Sequence, residues 1–145
     1  MRRRKIAVAT AAAALVAGLA VATSALQAAP AVPDQVKAAT VKGTLKEWGL
    51  AVIPAKVTAG RVTFVVKNIG KKKHEFVVIK TNRAANALPM EGREASEKGA
   101  VDEIGEIAPG ATERLTINLK KGKYVLICNL PGHYKRGQYA GFTVS

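Results

Sequence analysis

An all-β sandwich is the fold class this sequence predicts, on three observations. Apolar and polar residues alternate with period two, β-branched side chains crowd those stretches, and turn residues separate them at short intervals. In chain order, Val41, Gly43 and Leu45 alternate with Lys42, Thr44 and Lys46, the pattern of a strand with one buried face. Val62, Phe64 and Val66 alternate with Arg61, Thr63, Val65 and Lys67 in the same way. Phe76, Val77, Val78 and Ile79 form a short apolar run. Leu115, Ile117 and Leu119 alternate with Thr116, Asn118 and Lys120, and Tyr124-Val125-Leu126-Ile127 and Phe142-Thr143-Val144 complete the set. Ala59-Gly60, Asn68-Ile69-Gly70, Pro109-Gly110 and Lys121-Gly122 mark turns between them. Seven to eight such strands build an antiparallel sandwich. Residues 81–100 break the pattern and predict one irregular or short helical insertion. Six of the ten acids lie from Glu91 to Glu106, with Gly92, Gly99 and Gly105 among them. They predict a solvated insertion between sheets, because the alternation of a calcium loop is missing.

The start of the chain has a different character. Met1-Arg2-Arg3-Arg4-Lys5 is followed by residues 6–22, which are only Ala, Val, Leu, Ile, Gly and Thr, and then by small residues up to Ala28. This is the order of a signal peptide, predicted over residues 1–28 and cut after Ala28. An uncleaved anchor is the alternative, although this Ala-rich run is short for a bilayer span. No cysteine lies near the cut, which excludes a lipid anchor there. Residues 29–38, rich in Pro and Ala, read as a linker, and residues 39–145 as one domain. Export to the periplasm or the cell surface follows. Removing the leader takes four cations and no acids, leaving 19 cations against 10 acids. Such a charge favours anionic surfaces, and outside the cytosol nucleic acid is not the expected one.

An exported chain with a single cysteine, Cys128, needs an account of that thiol, since secreted domains use cysteine mainly in pairs. It is either a small buried hydrophobe, an intermolecular link or a ligand. The chain has two histidines. His133 follows Cys128 by five residues in Cys128-Asn129-Leu130-Pro131-Gly132-His133, after the strand ending at Ile127. His74 stands immediately before the apolar run that follows Glu75. One strand end thus offers a thiol, the next loop an imidazole and a second strand start another. A thiolate with two imidazoles and a weak axial group is the donor set of a mononuclear blue-copper site. Met90 is the only methionine besides Met1, and it lies in the insertion, outside the ligand loop.

Cys128-Asn129-Leu130-Pro131-Gly132-His133-Tyr134 resembles the ligand loop of the cupredoxins, the family of plastocyanin and azurin. Asn68-Ile69-Gly70-Lys71-Lys72-Lys73-His74-Glu75-Phe76-Val77-Val78 is similar to that family's first-histidine segment. Residues 101–107 with Ala108-Pro109-Gly110 resemble small bacterial members. The resemblance implies a Greek-key β-sandwich with one copper near one end, held by His74, Cys128 and His133. It departs from the family at the axial position, where Gly137-Gln138 replaces the usual Gly-Met. Gln138 is then the weak fourth ligand, and its amide oxygen, harder than a thioether, implies a low reduction potential. Asn68 is expected to tie the His74 loop to the Cys128 loop, and the backbone N–H after Cys128 to point at the sulfur.

The implied function is one-electron transfer by a type 1 copper protein, not an enzyme, with a copper carrier or storage protein as the alternative. The resemblance makes the His133 edge the electron port. Lys71, Lys72, Lys73, Lys135 and Arg136 flank the two histidines, so the expected partner is a redox protein with an acidic docking patch. The domain is expected to act as a soluble monomer, with membrane association as the alternative.

Overall fold

The computed structural model describes residues 38–145. The predicted signal peptide, and all of the predicted linker but Ala38, lie outside the described residues. Eleven strands follow in order: β1 (Ala39–Lys46), β2 (Gly49–Ile53), β3 (Lys56–Val57), β4 (Gly60–Asn68), β5 (His74–Lys80), β6 (Met90–Glu91), β7 (Glu94–Ala95), β8 (Ala100–Ile107), β9 (Thr112–Leu119), β10 (Gly122–Ile127) and β11 (Tyr139–Val144). One sheet has the order β2-β1-β4-β9 and the other β3-β11-β10-β5-β8, while β6 and β7 form a separate hairpin. The chain crosses between the two sheets at β2–β3, β3–β4, β4–β5, β8–β9 and β9–β10.

The alternation seen in the sequence is the burial pattern of the first sheet. Val41, Gly43 and Leu45 of β1 and Val62, Phe64, Val66 and Asn68 of β4 point inward. Across the sandwich, Phe64 meets Phe76 of β5 and Phe142 of β11, with ring centroids 5.2 and 5.4 Å apart. Each such side chain, fully buried, contributes about 1.5–3 kcal/mol.

β5 and β10 have a different reason for being apolar. Phe76, Val78, Tyr124 and Leu126 face the main core, and Val77, Ile79, Val125 and Ile127 face a second cluster with Leu88, Ala95 and Tyr134. Both faces are covered, which converts alternation into a continuous run. The cover is the predicted insertion. It is irregular around the β6–β7 hairpin and contains no helix; among the described residues the one helical turn is the 3₁₀ turn Tyr134–Arg136.

Two expectations are corrected. The sheets are mixed, not purely antiparallel, since β1 runs parallel to β4 and β11 parallel to β3. Strand β1 pairs with β2 as a hairpin on one side, so its other edge is left for β4. The acid-rich stretch is only partly an insertion. Its second half is β8, paired antiparallel with β5. Asp102, Glu103 and Glu106 are exposed there, the charging by which edge strands resist pairing with other chains.

The end that carries the loops of interest is fixed by register. Leu45 lies opposite Asn68, which brings the β1–β2 turn beside the β4–β5 loop. Ile69 N–H donates to Leu45 O at 2.8 Å, and Gly110 N–H to Asn68 O at 2.9 Å. Among the described residues no helix is long and apolar enough to cross a membrane.

Candidate metal centre

Cys128 is the first residue after β10, and its N–H donates to Gln138 O at 3.1 Å, closing the intervening loop at its base. Within that loop His133 N–H donates to Leu130 O at 2.9 Å, after which the 3₁₀ turn Tyr134–Arg136 brings the chain back. The turn ends at Gly137 with φ of 103°, a left-handed conformation that favours glycine. Gln138, wholly buried, is thereby placed under the donors rather than out in solvent.

The loop is also held from outside. Tyr134 Oη donates to Ala85 O at 2.7 Å and accepts Leu88 N–H at 3.0 Å. Asn129 accepts Ala95 N–H at 2.7 Å and donates to Ala95 O at 2.9 Å and to Glu97 Oε1 at 2.8 Å. The insertion therefore anchors the ligand loop as well as covering the sheet.

His74 opens β5 opposite Ile107, at an irregularity in the β5–β8 ladder, and is wholly buried. Its Nδ1 lies 3.3 Å from His133 Nδ1 and 3.8 Å from Cys128 Sγ, and Sγ to His133 Nδ1 is 3.3 Å. Nitrogen and sulfur donors sit about 2.0–2.3 Å from a first-row metal, so three of them arranged around one ion stand roughly 3.5–4 Å apart. The observed triangle is of that size. Gln138 Nε2 lies 2.9 Å from His74 Nδ1 and donates to Lys46 O at 3.0 Å. Among the described residues, two buried side-chain polar atoms find no hydrogen-bond partner, His74 Nε2 and Gln138 Oε1. An acceptor left bare beside a soft-donor triangle is an arrangement a cation satisfies and an apolar core does not. The residues fit a copper ion.

Charge supports the same reading. Burial pushes the Cys128 thiol up to about 11, with the Glu75 and Leu130 N–H groups opposing it. The Glu75 N–H reaches Sγ at 3.3 Å. Burial lowers both histidines below the ordinary imidazole value, and for His133 the neighbouring His74 adds to this. Both imidazoles are thus neutral near pH 7 and hold free lone pairs. The thiol becomes a thiolate there when a cation compensates its charge.

No family model matches the chain. Among curated proteins, it is similar to the iron uptake system component EfeO of Yersinia pseudotuberculosis, 30% identical over 90 residues, covering 62% of this chain and 20% of EfeO. EfeO of Yersinia pestis matches to the same extent. The chain thus spans about a fifth of the length of the curated relatives it matches. Among solved structures, it resembles reduced auracyanin from Roseiflexus castenholzii, with TM-score 0.56, 23% identity, and coverage of 74% of this chain and 98% of that one. It also resembles rusticyanin from Thiobacillus ferrooxidans, with TM-score 0.53, 18% identity, and coverage of 73% and 77%. These neighbours are cupredoxins. The chain has the cupredoxin fold.

In this domain of cupredoxin fold the four residues singled out from sequence, His74, Cys128, His133 and Gln138, meet in one place. Met90, on β6, is 37% exposed and outside that cluster. Asn68 acts differently from the expectation. Its Nδ2 donates to Lys72 O at 2.7 Å and Ile107 O at 2.9 Å, and its Oδ1 accepts Gly70 N–H at 2.9 Å. It ties the His74 loop to β8, not to the Cys128 loop. The latter is held by Asn129, and the hydrogen bond to sulfur from across the site comes from Glu75.

Two residues of the β1–β2 turn were missed. Trp48 sits edge-on to His133 with ring centroids 4.8 Å apart, and the Arg136 guanidinium lies 4.3 Å above the indole. Glu47 Oε1 lies 3.3 Å from His74 Nε2. The Glu47 carboxylate accepts Lys71 N–H at 3.0 and 3.1 Å and also Lys72 N–H. Chiefly through the Lys71 N–H it is held well below the usual carboxylate range, at about 2. Nothing in local sequence marks either residue; the β1–β4 register brings them in.

Proposed function

We propose that the domain holds one copper ion through His74 Nδ1, Cys128 Sγ and His133 Nδ1, with Gln138 Oε1 as a weak fourth donor, and passes single electrons between exported redox partners. The observation that carries this is the buried triangle of one thiol and two imidazoles, spaced for a single ion. Copper bound there supplies a one-electron couple. The chain supplies rigidity: the loop closed at Cys128 and Gln138, and anchored through Asn129 and Tyr134, keeps the donors in place as the charge changes. The hard oxygen of Gln138 favours the more highly charged ion and so a low potential. Both histidines of the chain are committed to this centre, which speaks for a carrier of electrons and not a multicopper enzyme.

His133 is partly exposed, unlike His74, and is the electron port in this reading. Lys71, Lys72, Lys135 and Arg136 are exposed on the two loops that carry the histidines. Lys73, the fifth expected cation, is paired with Glu106 at 2.7 Å. The remaining cations suit a redox protein with an acidic docking patch. The leader-like start of the chain supports export, and the domain acts there as a soluble monomer.

Cu(II) titrated into the purified protein should produce an intense visible thiolate-to-copper band and a narrow copper hyperfine pattern in EPR. Cys128→Ser should abolish the band. Absence of the band in the unsubstituted protein would sink the reading.

One observation favours a second reading, in which the domain carries or stores copper without redox turnover. It is the likeness to EfeO, a protein named as a component of an iron uptake system. A reversible potential with fast self-exchange decides for electron transfer. Transfer of the whole ion to an acceptor, with no reversible couple, decides for carriage.

A further inference from the structure

We propose that Glu47 is the positioning residue of this centre: its carboxylate accepts the Nε2–H of His74, leaves Nδ1 free to face Cys128 and His133, and sets one fixed negative charge beside the donors. The inference rests on the copper reading for its consequence, but not for its geometry. His74 is wholly enclosed, and its Nε2 has no fully formed hydrogen bond. The carboxylate oxygen of Glu47, 3.3 Å away, is the acceptor in reach. A neutral imidazole carries a single N–H, and the nitrogen that keeps it is set by what the other side offers. Here one side offers a carboxylate and the other a nitrogen, a sulfur and an amide.

Glu47 is not placed by His74. Lys71 and Lys72 N–H groups hold its two oxygens from the loop that leads into β5. Room for this cradle comes from Gly70. A Cβ at that position would lie 2.6 Å from Glu47 Oε2 and 2.8 Å from Oε1, so the carboxylate would have to move away. Gly70 has no unusual φ, so glycine serves here as empty space rather than as a flexible joint. The carboxylate is thus fixed by backbone on one face and faces the histidine on the other. A carboxylate on the outer nitrogen of a ligating histidine raises its basicity and orients the ring. The added negative charge favours the oxidised ion, acting in the same direction as the Gln138 oxygen.

Two measurements test this. Nitrogen-15 NMR of the metal-free protein should show His74 as the Nε2–H tautomer, and Glu47→Ala should shift it toward a mixture. With copper, Glu47→Gln should keep the tautomer, since the amide retains an acceptor oxygen, yet raise the reduction potential. Glu47→Ala should lose Cu(II) affinity by about 10–100-fold as well. Gly70→Ala, which displaces the carboxylate while leaving Glu47 itself unchanged, should move both readouts in the direction of Glu47→Ala and serves should that variant fold poorly. An Nδ1–H tautomer in the unsubstituted protein, or a tautomer unmoved by Glu47→Ala and Gly70→Ala, overturns the positioning role. A potential unchanged in Glu47→Gln overturns the charge role. Failure of the unsubstituted protein to form a coloured copper complex would overturn the copper reading and the charge role with it, while the metal-free spectra still judge the positioning.

Discussion

Gln138 faces two demands with one amide. Its Nε2 donates to Lys46 O, and its Oε1 is left without a donor inside the protein. Replacement by methionine exchanges a hard oxygen for a soft thioether, so Gln138→Met should raise the reduction potential, as read by voltammetry. The same substitution strips Lys46 O of its donor, so it should also cost about 1–3 kcal/mol of stability. An unchanged potential would remove Gln138 from the ligand set and leave it a structural amide. Cys128 makes a separate prediction through its proton. Burial pushes the thiol to about 11, so at lower pH it enters the complex only by releasing that proton. Apparent Cu(II) affinity should therefore rise about tenfold per pH unit from neutrality toward about 11, once the competing chelator's own protonation is subtracted. A flat profile would mean that the sulfur is not a ligand. The burial-lowered histidines add no protons to this slope near neutral pH.

Strand ends and loops, more than strand interiors, decide how these donors meet. Asn68 closes β4 with three hydrogen bonds to Lys72, Ile107 and Gly70, and is itself wholly buried. Asn68→Ala should leave the partners bare and cost about 2–4 kcal/mol, seen as a lower denaturation midpoint with an unchanged slope. Legibility in the sequence followed burial. β1 and β4 were readable because each is covered on one face, which writes period two into the chain. The start of β5 was readable as a bare apolar run, but only the structure shows that the insertion covers its second face. β8 was obscured by its position at the sheet edge, where acids are tolerated and apolar alternation is not needed. His74, Cys128, His133 and Gln138 were legible by scarcity and short spacing. Glu47 and Trp48 were not, because they reach the histidines through the pairing of β1 with β4, and register leaves no local mark.

Across the whole molecule the cations outnumber the acids, and their distribution is uneven. Lys71, Lys72, Lys135 and Arg136 gather on the loops carrying the histidines, while Asp102, Glu103 and Glu106 line the β8 edge. Association with an acidic redox partner should slow as salt rises, because exposed charges are screened beyond about 10 Å at 0.1 M. Lys72→Glu and Lys135→Glu should lower the association rate at low salt and lose their effect at high salt, measured by stopped flow. Rates independent of salt would rule out charge steering. Lys73 is the internal comparison: its partner Glu106 already offsets it, so Lys73→Ala should change association least of the three lysines in that run.

The anchoring of the ligand loop by Tyr134 and Asn129 limits how far the centre can be treated as a transferable part. Grafted onto another sandwich, residues 128–138 would carry three of the four donors and their turn chemistry, but not the carbonyls and amides of Ala85, Leu88 and Ala95 that hold them. A transplant would have to bring the covering segment as well. The donor cluster of this protein, in that sense, depends on segments that are not neighbours in sequence.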